Sequence, residues 1–277
     1  MLKLQNLLFA AGAMLAFGAV AIPHVSFAKD APAATSIDTV LAGDWRSEKN
    51  RARDVYRHPK QTLEFFGVKS NQTVIELVPG GGWYAEILAP LLKDNGHYVA
   101  AIFKPKDAAG EDARDKKGIG AKIASDPTHF GGAKVVEFDG KAPVFGAPGS
   151  ADVVLTFRNV HNWTDDGNAD AMFKGMFAVL KKGGTLGIVD HRAKPGTTLA
   201  ANKDSGYLPV DAVVKLATDA GFKLAAQSEI NANPKDTKDY PKGVWTLPPS
   251  LALKDQDREK YLAIGESDRM TLKFVKP

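Results

Sequence analysis

The chain has no cysteine, so it can form neither a disulfide nor a lipid-modified cysteine anchor. It also lacks a dense stretch of one charge sign: the formal net charge is +4, and its Lys and Arg residues are interspersed with Asp and Glu along the whole length. Without a basic stripe to follow a phosphate backbone, no nucleic-acid partner is expected. There is no internal repeat and no low-complexity tract beyond an Ala-rich start. The run from Leu7 to Ile22 is 16 residues, short of the roughly 20 that a bilayer span needs.

That run does fit a leader. Lys3 precedes it, and Ser26-Phe27-Ala28 follows with small residues at the two positions signal peptidase reads. A signal peptide over residues 1–28 is therefore predicted, with cleavage after Ala28, a periplasmic or secreted product and no stable membrane span afterwards. The alternative is an uncleaved anchor.

Beyond it, residues 29–66 read as a linker and a helical cap of two short helices, the second opened by Pro59. From residue 67 to 277 the pattern is one α/β domain. β-rich runs at Thr73–Val78, Tyr98–Phe103, Lys134–Phe138, Asp152–Phe157 and Thr185–Asp190 alternate with helical patterns at Trp83–Lys93, Asp107–Ala124, Ala169–Lys182 and Val210–Ala220. Lys181-Lys182-Gly183-Gly184 reads as the stop of the third helix. Alternation of this kind predicts a doubly wound parallel sheet. Two more strands, Phe222–Ile230 and Arg269–Val275, flank a long insertion at residues 231–268. Its four prolines, Tyr240 and Trp245 predict an ordered lid or flap, with a short helix near Asp255–Ile264.

The sharpest motif is Val74-Ile75-Glu76-Leu77-Val78-Pro79-Gly80-Gly81-Gly82-Trp83-Tyr84, a buried strand running through glycines into an amphipathic helix. Glycines there let a ligand approach the backbone beside a helix N-terminus, although the same turn can exist with no ligand. The acidic residue followed by Pro-Gly-Gly-Gly resembles motif I of class I S-adenosylmethionine-dependent methyltransferases. Phe138-Asp139-Gly140, Asp152-Val153-Val154-Leu155 and Lys182-Gly183-Gly184 fall at that family's later landmarks. The Phe-Arg-Asn-Val-His-Asn-Trp and Gly-Glu-Ser-Asp-Arg-Met segments are similar to those of a group of exported bacterial methyltransferase-like proteins.

The resemblance implies a Rossmann-like sheet of seven strands in the order 3-2-1-4-5-7-6, the last antiparallel, with S-adenosylmethionine as cofactor. It assigns Glu76, Gly80, Gly81, Gly82, Trp83 and Tyr84 to the cofactor loop and Asp139 to the adenine end. The chain departs from the pattern twice: Val78 replaces the first glycine, and Lys104 stands where a ribose-binding carboxylate is expected.

Methyl transfer needs alignment, and an oxygen nucleophile also needs a base. His161, past the fourth strand, is the candidate base, with Asp190 and His191 at the end of the fifth strand as neighbours that could tune it. It could equally be a loop histidine packed on Trp163. Arg158, Asn159, Asn162, Trp163 and Arg192 are the candidate substrate contacts, the arginines for an anionic group or else paired with nearby aspartates. No metal is expected, because a chelating site would want several oxygen ligands. The predicted function is methyl transfer to a small molecule or envelope component, the alternative being an exported, non-catalytic ligand-binding protein on the same fold.

Overall fold

A computed structural model of the protein describes residues 35–104 and 118–277. The predicted leader and the first part of the predicted 107–124 helix lie outside the described residues. Among the described residues no helix is long and apolar enough to cross a membrane.

Seven strands form one sheet in the order β3-β2-β1-β4-β5-β7-β6. They are β1 Thr73–Leu77, β2 His97–Phe103, β3 Lys134–Phe138, β4 Ala151–Phe157, β5 Leu180–His191, β6 Lys223–Ser228 and β7 Arg269–Val275. The first five pair in parallel, and β7 runs antiparallel between β5 and β6. This is the class I methyltransferase fold.

Helices cover both faces, so β1 is apolar on both. Val74 points to one core with Leu63 and Phe66 of α4 (Pro59–Phe66) and Ile87 and Leu91 of α5 (Ala85–Leu92). Ile75 and Leu77 point to the other, with Met172, Phe173 and Met176 of α9 (Ala169–Val179) and Val213 of α10 (Val210–Asp219). Each such fully buried side chain contributes about 2 kcal/mol by removing apolar area from water. Pro59 sits at the first turn of α4, where its missing N–H costs no hydrogen bond.

Three local expectations are corrected. The segment before β1 holds four short helices, α1 Ile37–Leu41, α2 Glu48–Arg51, α3 Asp54–Arg57 and α4. Helix α9 ends at Val179, and Lys181-Lys182-Gly183-Gly184 opens β5 instead, with Gly183 at φ 77 where the register against β4 shifts. Helix α5 starts at Ala85, so Trp83 and Tyr84 belong to the turn before it. Three further helices follow the chain: α6 Ile119–Ser125 and α7 Pro127–Phe130 before β3, and α8 Val160–Asp165 after β4. Residues 231–268 are built from turns, a single 3-10 turn at Gly243–Thr246 and α11 Arg258–Ile264.

Candidate active site

At the carboxyl edge of the sheet, β4 and β5 lie side by side, pairing Phe157 with Val189. The chain leaves β4 through Arg158, which takes a left-handed backbone (φ 63), and enters α8 at Val160. That turn brings His161 over the end of β5. The Nδ1 of His161 lies 2.9 Å from Oδ1 of Asp190, a carboxylate with no exposed surface. Asp190 also accepts the backbone N–H groups of Val160, His161 and His191. With the carboxylate as acceptor, the proton sits on Nδ1, and Nε2 is the ring nitrogen left for chemistry.

His161, Asp190 and His191 place one ligand atom each within 4.8 Å of one another, a spacing a metal could use. The hydrogen bonds argue for a different role. Asp190 already accepts four N–H groups, which uses the roughly four lone-pair sites a carboxylate has. His191 packs with its ring 5.2 Å from that of His161, and its Nδ1 pairs with Ser267 Oγ at 2.5 Å. Burial holds His191 well below the usual imidazole range, and His161, Arg158, Arg269 and Arg57 add to the effect, so it is neutral near pH 7.

Two cavities meet His161. One, of about 290 Å³, is mostly apolar and runs along Leu199, Ala200, Gly206, Tyr207 and Leu208. The other, of about 210 Å³, is polar; Arg158, Asn162, His191 and Ser267 line it, and Trp245, Pro248 and Pro249 of the 231–268 segment cover it.

The glycine loop lies at the end of β1. Val78 adopts φ 49, a left-handed conformation that costs a β-branched residue energy and a glycine almost none. The backbone thus has the shape that the family's glycine would give, with valine holding it. Gly80 and Gly81 have nothing within 4 Å of where a Cβ would stand, so a ligand has room against their backbone. Gly82, at φ 74, would bring a Cβ to 3.0 Å from Ile119 and Lys122. Asp139 is exposed at the end of β3, with Oδ1 accepting from the Lys141 N–H. Gly80, Gly81 and Asp139 therefore fit a nucleoside-bearing cofactor laid over the strand ends. Lys104, exposed past β2, offers the ribose end no acceptor.

Several predicted site residues are turned to packing instead. Glu76 is 2% exposed, and its Oε2 accepts from the Tyr98 hydroxyl at 2.6 Å. Burial raises its pKa to about 7, against the lowering pull of Tyr98 and Arg57. Trp83 is buried, donates to the Asn50 carbonyl, and carries the Arg57 guanidinium 4.6 Å from its ring. Tyr84 stacks on Phe157 with centroids 3.6 Å apart. Neither ring presents an open face to a ligand.

Trp163 is 1% exposed in the core, because α8 turns it inward. Asn159 clamps β1 to β4 by donating to the carbonyl of Leu77 and to Thr156 Oγ1. Arg192 is corrected most plainly: it forks onto Glu229 through two nitrogens and onto Asp268 through two, so it is spent within the protein. Asn162 stays exposed on the polar cavity.

Sequence reasoning missed a cluster at the back of the polar cavity. Glu266 accepts from Arg53, Arg57 and Arg269 at 2.6, 3.3 and 3.0 Å. Burial alone would raise its pKa, but Arg269, Arg57 and Arg53 together hold it down at about 2. The Gly-Glu-Ser-Asp-Arg-Met segment was the available signal, yet Arg53 and Arg57 reach it from more than 200 residues away.

Solved structures share this fold. A SAM-dependent methyltransferase from Aquifex aeolicus superposes with a TM-score of 0.55 at 13% identity, over 88% of this chain and all of that one. The 4+2 cyclase SpnF gives 0.57 at 15% identity, over 85% and 86%. Phosphoethanolamine N-methyltransferase 2 of Haemonchus contortus, in complex with S-adenosyl-L-methionine, gives 0.55 at 14% identity, over 87% of this chain and 57% of that one. No protein-family model matches the sequence, and no curated protein matches it. At such identities the likeness is one of fold, and the cyclase shows that the fold carries more than one chemistry.

Proposed function

We propose that this protein is an S-adenosylmethionine-dependent methyltransferase that acts on a small molecule or envelope component after export by residues 1–28. The observation that carries this reading is the His161–Asp190 dyad at the edge of β4 and β5, on a sheet whose first loop leaves Gly80 and Gly81 open to a ligand.

S-adenosylmethionine, when bound, supplies a methyl group on a sulfonium, open to in-line displacement. Gly80, Gly81 and Asp139 would hold it. His161 Nε2 would take the proton from an acceptor hydroxyl, and Asp190 holds the imidazole in the tautomer that can do so. The apolar cavity along Tyr207 and Leu208 gives the body of the acceptor a place next to the base.

One observation favours a second reading, a ligand-binding protein with no catalytic role: Lys104 puts a cation where a ribose carboxylate would stand. Calorimetry of the mature protein with S-adenosylmethionine and S-adenosylhomocysteine separates the two. Micromolar binding is expected, and a flat titration with both would overturn the methyltransferase reading. Export is tested by Ala28→Leu, which should block maturation of the full chain.

A further inference from the structure

We infer that the acceptor carries an anionic group, a carboxylate or a phosphate, which docks on Arg158 in the polar cavity beside His161. The inference rests on the proposed function only for the word acceptor; the anion site stands on the geometry.

Arg158 is half-buried and makes no side-chain hydrogen bond or ion pair among the described residues. Each neighbouring arginine has at least one carboxylate partner. Arg46 forks onto Asp54, Arg192 onto Glu229 and Asp268, and Arg53, Arg57 and Arg269 share Glu266. Guanidinium groups taken out of water are costly unless an acceptor meets them. Here the local count is three guanidinium groups to the single carboxylate of Glu266, before Arg158 is added.

The shortage extends to individual donors. Arg57 and Arg269 are each 3% exposed, yet Arg57 Nη2, Arg269 Nε and Arg53 Nη2 have no partner among the described residues. Burial lowers the pKa of Arg158 to about 10, with Arg269 and Arg53 pushing the same way and Glu266 and Asp190 opposing; the group remains cationic at neutral pH. A second anion on Arg158 would offset the local excess of positive charge.

The cavity is built to receive one. Arg158 lines it together with exposed Asn162, whose amide adds a neutral donor, and with Ser267, whose Oγ pairs with His191 Nδ1; Glu266 lines it too, its carboxylate already held by Arg53, Arg57 and Arg269. The left-handed backbone at Arg158 fixes where that side chain starts, one turn from the base. Because His161 lines the same cavity, an acid group held there places a hydroxyl on the same small molecule within reach of Nε2.

The test uses the mature protein with inorganic phosphate and with malonate, titrated against chloride at matched ionic strength and read by calorimetry and by melting temperature. Saturable binding of at least one of them is expected, weakened about tenfold or more in Arg158→Gln. Arg158→Lys should restore part of it. No anion-specific response in the wild type, or an unchanged response in Arg158→Gln, overturns the site. Repeating the titration with S-adenosylhomocysteine saturating decides the source. Retained anion binding supports an acceptor's acid group, whereas competition would assign the site to the cofactor's own carboxylate and overturn the inference. A protein that bound phosphate but no S-adenosylhomocysteine would retain the anion site and lose the methyltransferase reading.

Discussion

His161 Nδ1 and Asp190 Oδ1 stand 2.9 Å apart, joining the first turn after β4 to the end of the neighbouring strand β5. The contact exists because the two strands are parallel neighbours, so their carboxyl ends fall together at the edge where open α/β sheets place their sites. Its consequence is a fixed tautomer.

His161→Ala should therefore lower turnover by about 10² to 10⁴, the usual range for a positioned general base, while leaving S-adenosylhomocysteine binding unchanged. Steady-state rates beside a calorimetric titration measure both. Asp190→Asn should act on the tautomer as well as the rate: nitrogen-15 NMR should show the Nδ1–H form of His161 in the wild type and a mixture in the variant. Turnover at the wild-type rate in His161→Ala would remove the base from the mechanism.

The buried carboxylates make opposite contributions to stability as pH changes. Glu266 has its folded pKa depressed from 4.5 to about 2, so its stabilisation is fully present above about 4.5 and is lost as pH falls through 2. Converted through the linkage relation, that is of the order of 3 kcal/mol. Glu266→Gln leaves three guanidinium groups without their anion and should cost about 3 to 5 kcal/mol at pH 7 in denaturant unfolding. The cost should shrink toward pH 2, where the wild type loses the same charge.

Glu76 works the other way. Its folded pKa is raised from 4.5 to about 7, so the protonated form is favoured in the folded state, and stability falls as pH rises from 4.5 through 7. Glu76→Gln keeps an acceptor for the Tyr98 hydroxyl and removes the charge. It should match the wild type near pH 4 and exceed it by a few kcal/mol at pH 8, measured as unfolding midpoints across that range.

The same two residues mark where sequence reasoning reaches and where it stops. Glu76 was legible as the acidic end of a buried strand, and the sheet order was implied by the family resemblance that this motif and the later landmarks carry. The strands at Lys134–Phe138 and Arg269–Val275 carry their bounds in local pattern alone. The pairing of His161 with Asp190 could be anticipated because adjacent parallel strands deliver their ends together. The cluster on Glu266 could not be placed: Arg269 is three residues away, but Arg53 and Arg57 come from the far N-terminal segment, and no local period encodes such contacts. For the same reason Arg192 read as either a substrate ligand or the partner of a nearby aspartate: its actual partners Glu229 and Asp268 are 37 and 76 residues away in the chain.

Lys104 provides a gain-of-function test of the cofactor reading. A carboxylate at that position can accept two ribose hydroxyls, which a lysine cannot. Lys104→Asp is expected to tighten S-adenosylhomocysteine binding about tenfold, the worth of one or two hydrogen bonds to a charged group, with little change in unfolding midpoint because the side chain is exposed. Affinity that stayed the same or fell would place the ribose elsewhere.

Gly81 and Gly82 separate the shape of the loop from its use. Gly82 lies at φ 74, and a methyl group added there would stand 3.0 Å from Ile119 and Lys122, so Gly82→Ala is strained twice over and should cost about 1 to 2 kcal/mol of stability. At Gly81 the backbone is ordinary for an L-residue and no atom lies within 4 Å, so Gly81→Ala should fold as well as the wild type. Its added methyl group would nevertheless stand between the backbone and any ligand lying against it. If the loop cradles S-adenosylmethionine, Gly81→Ala weakens S-adenosylhomocysteine binding about tenfold or more at unchanged melting temperature. Equal affinity in the two proteins would mean that the open space over Gly81 is not where the cofactor sits.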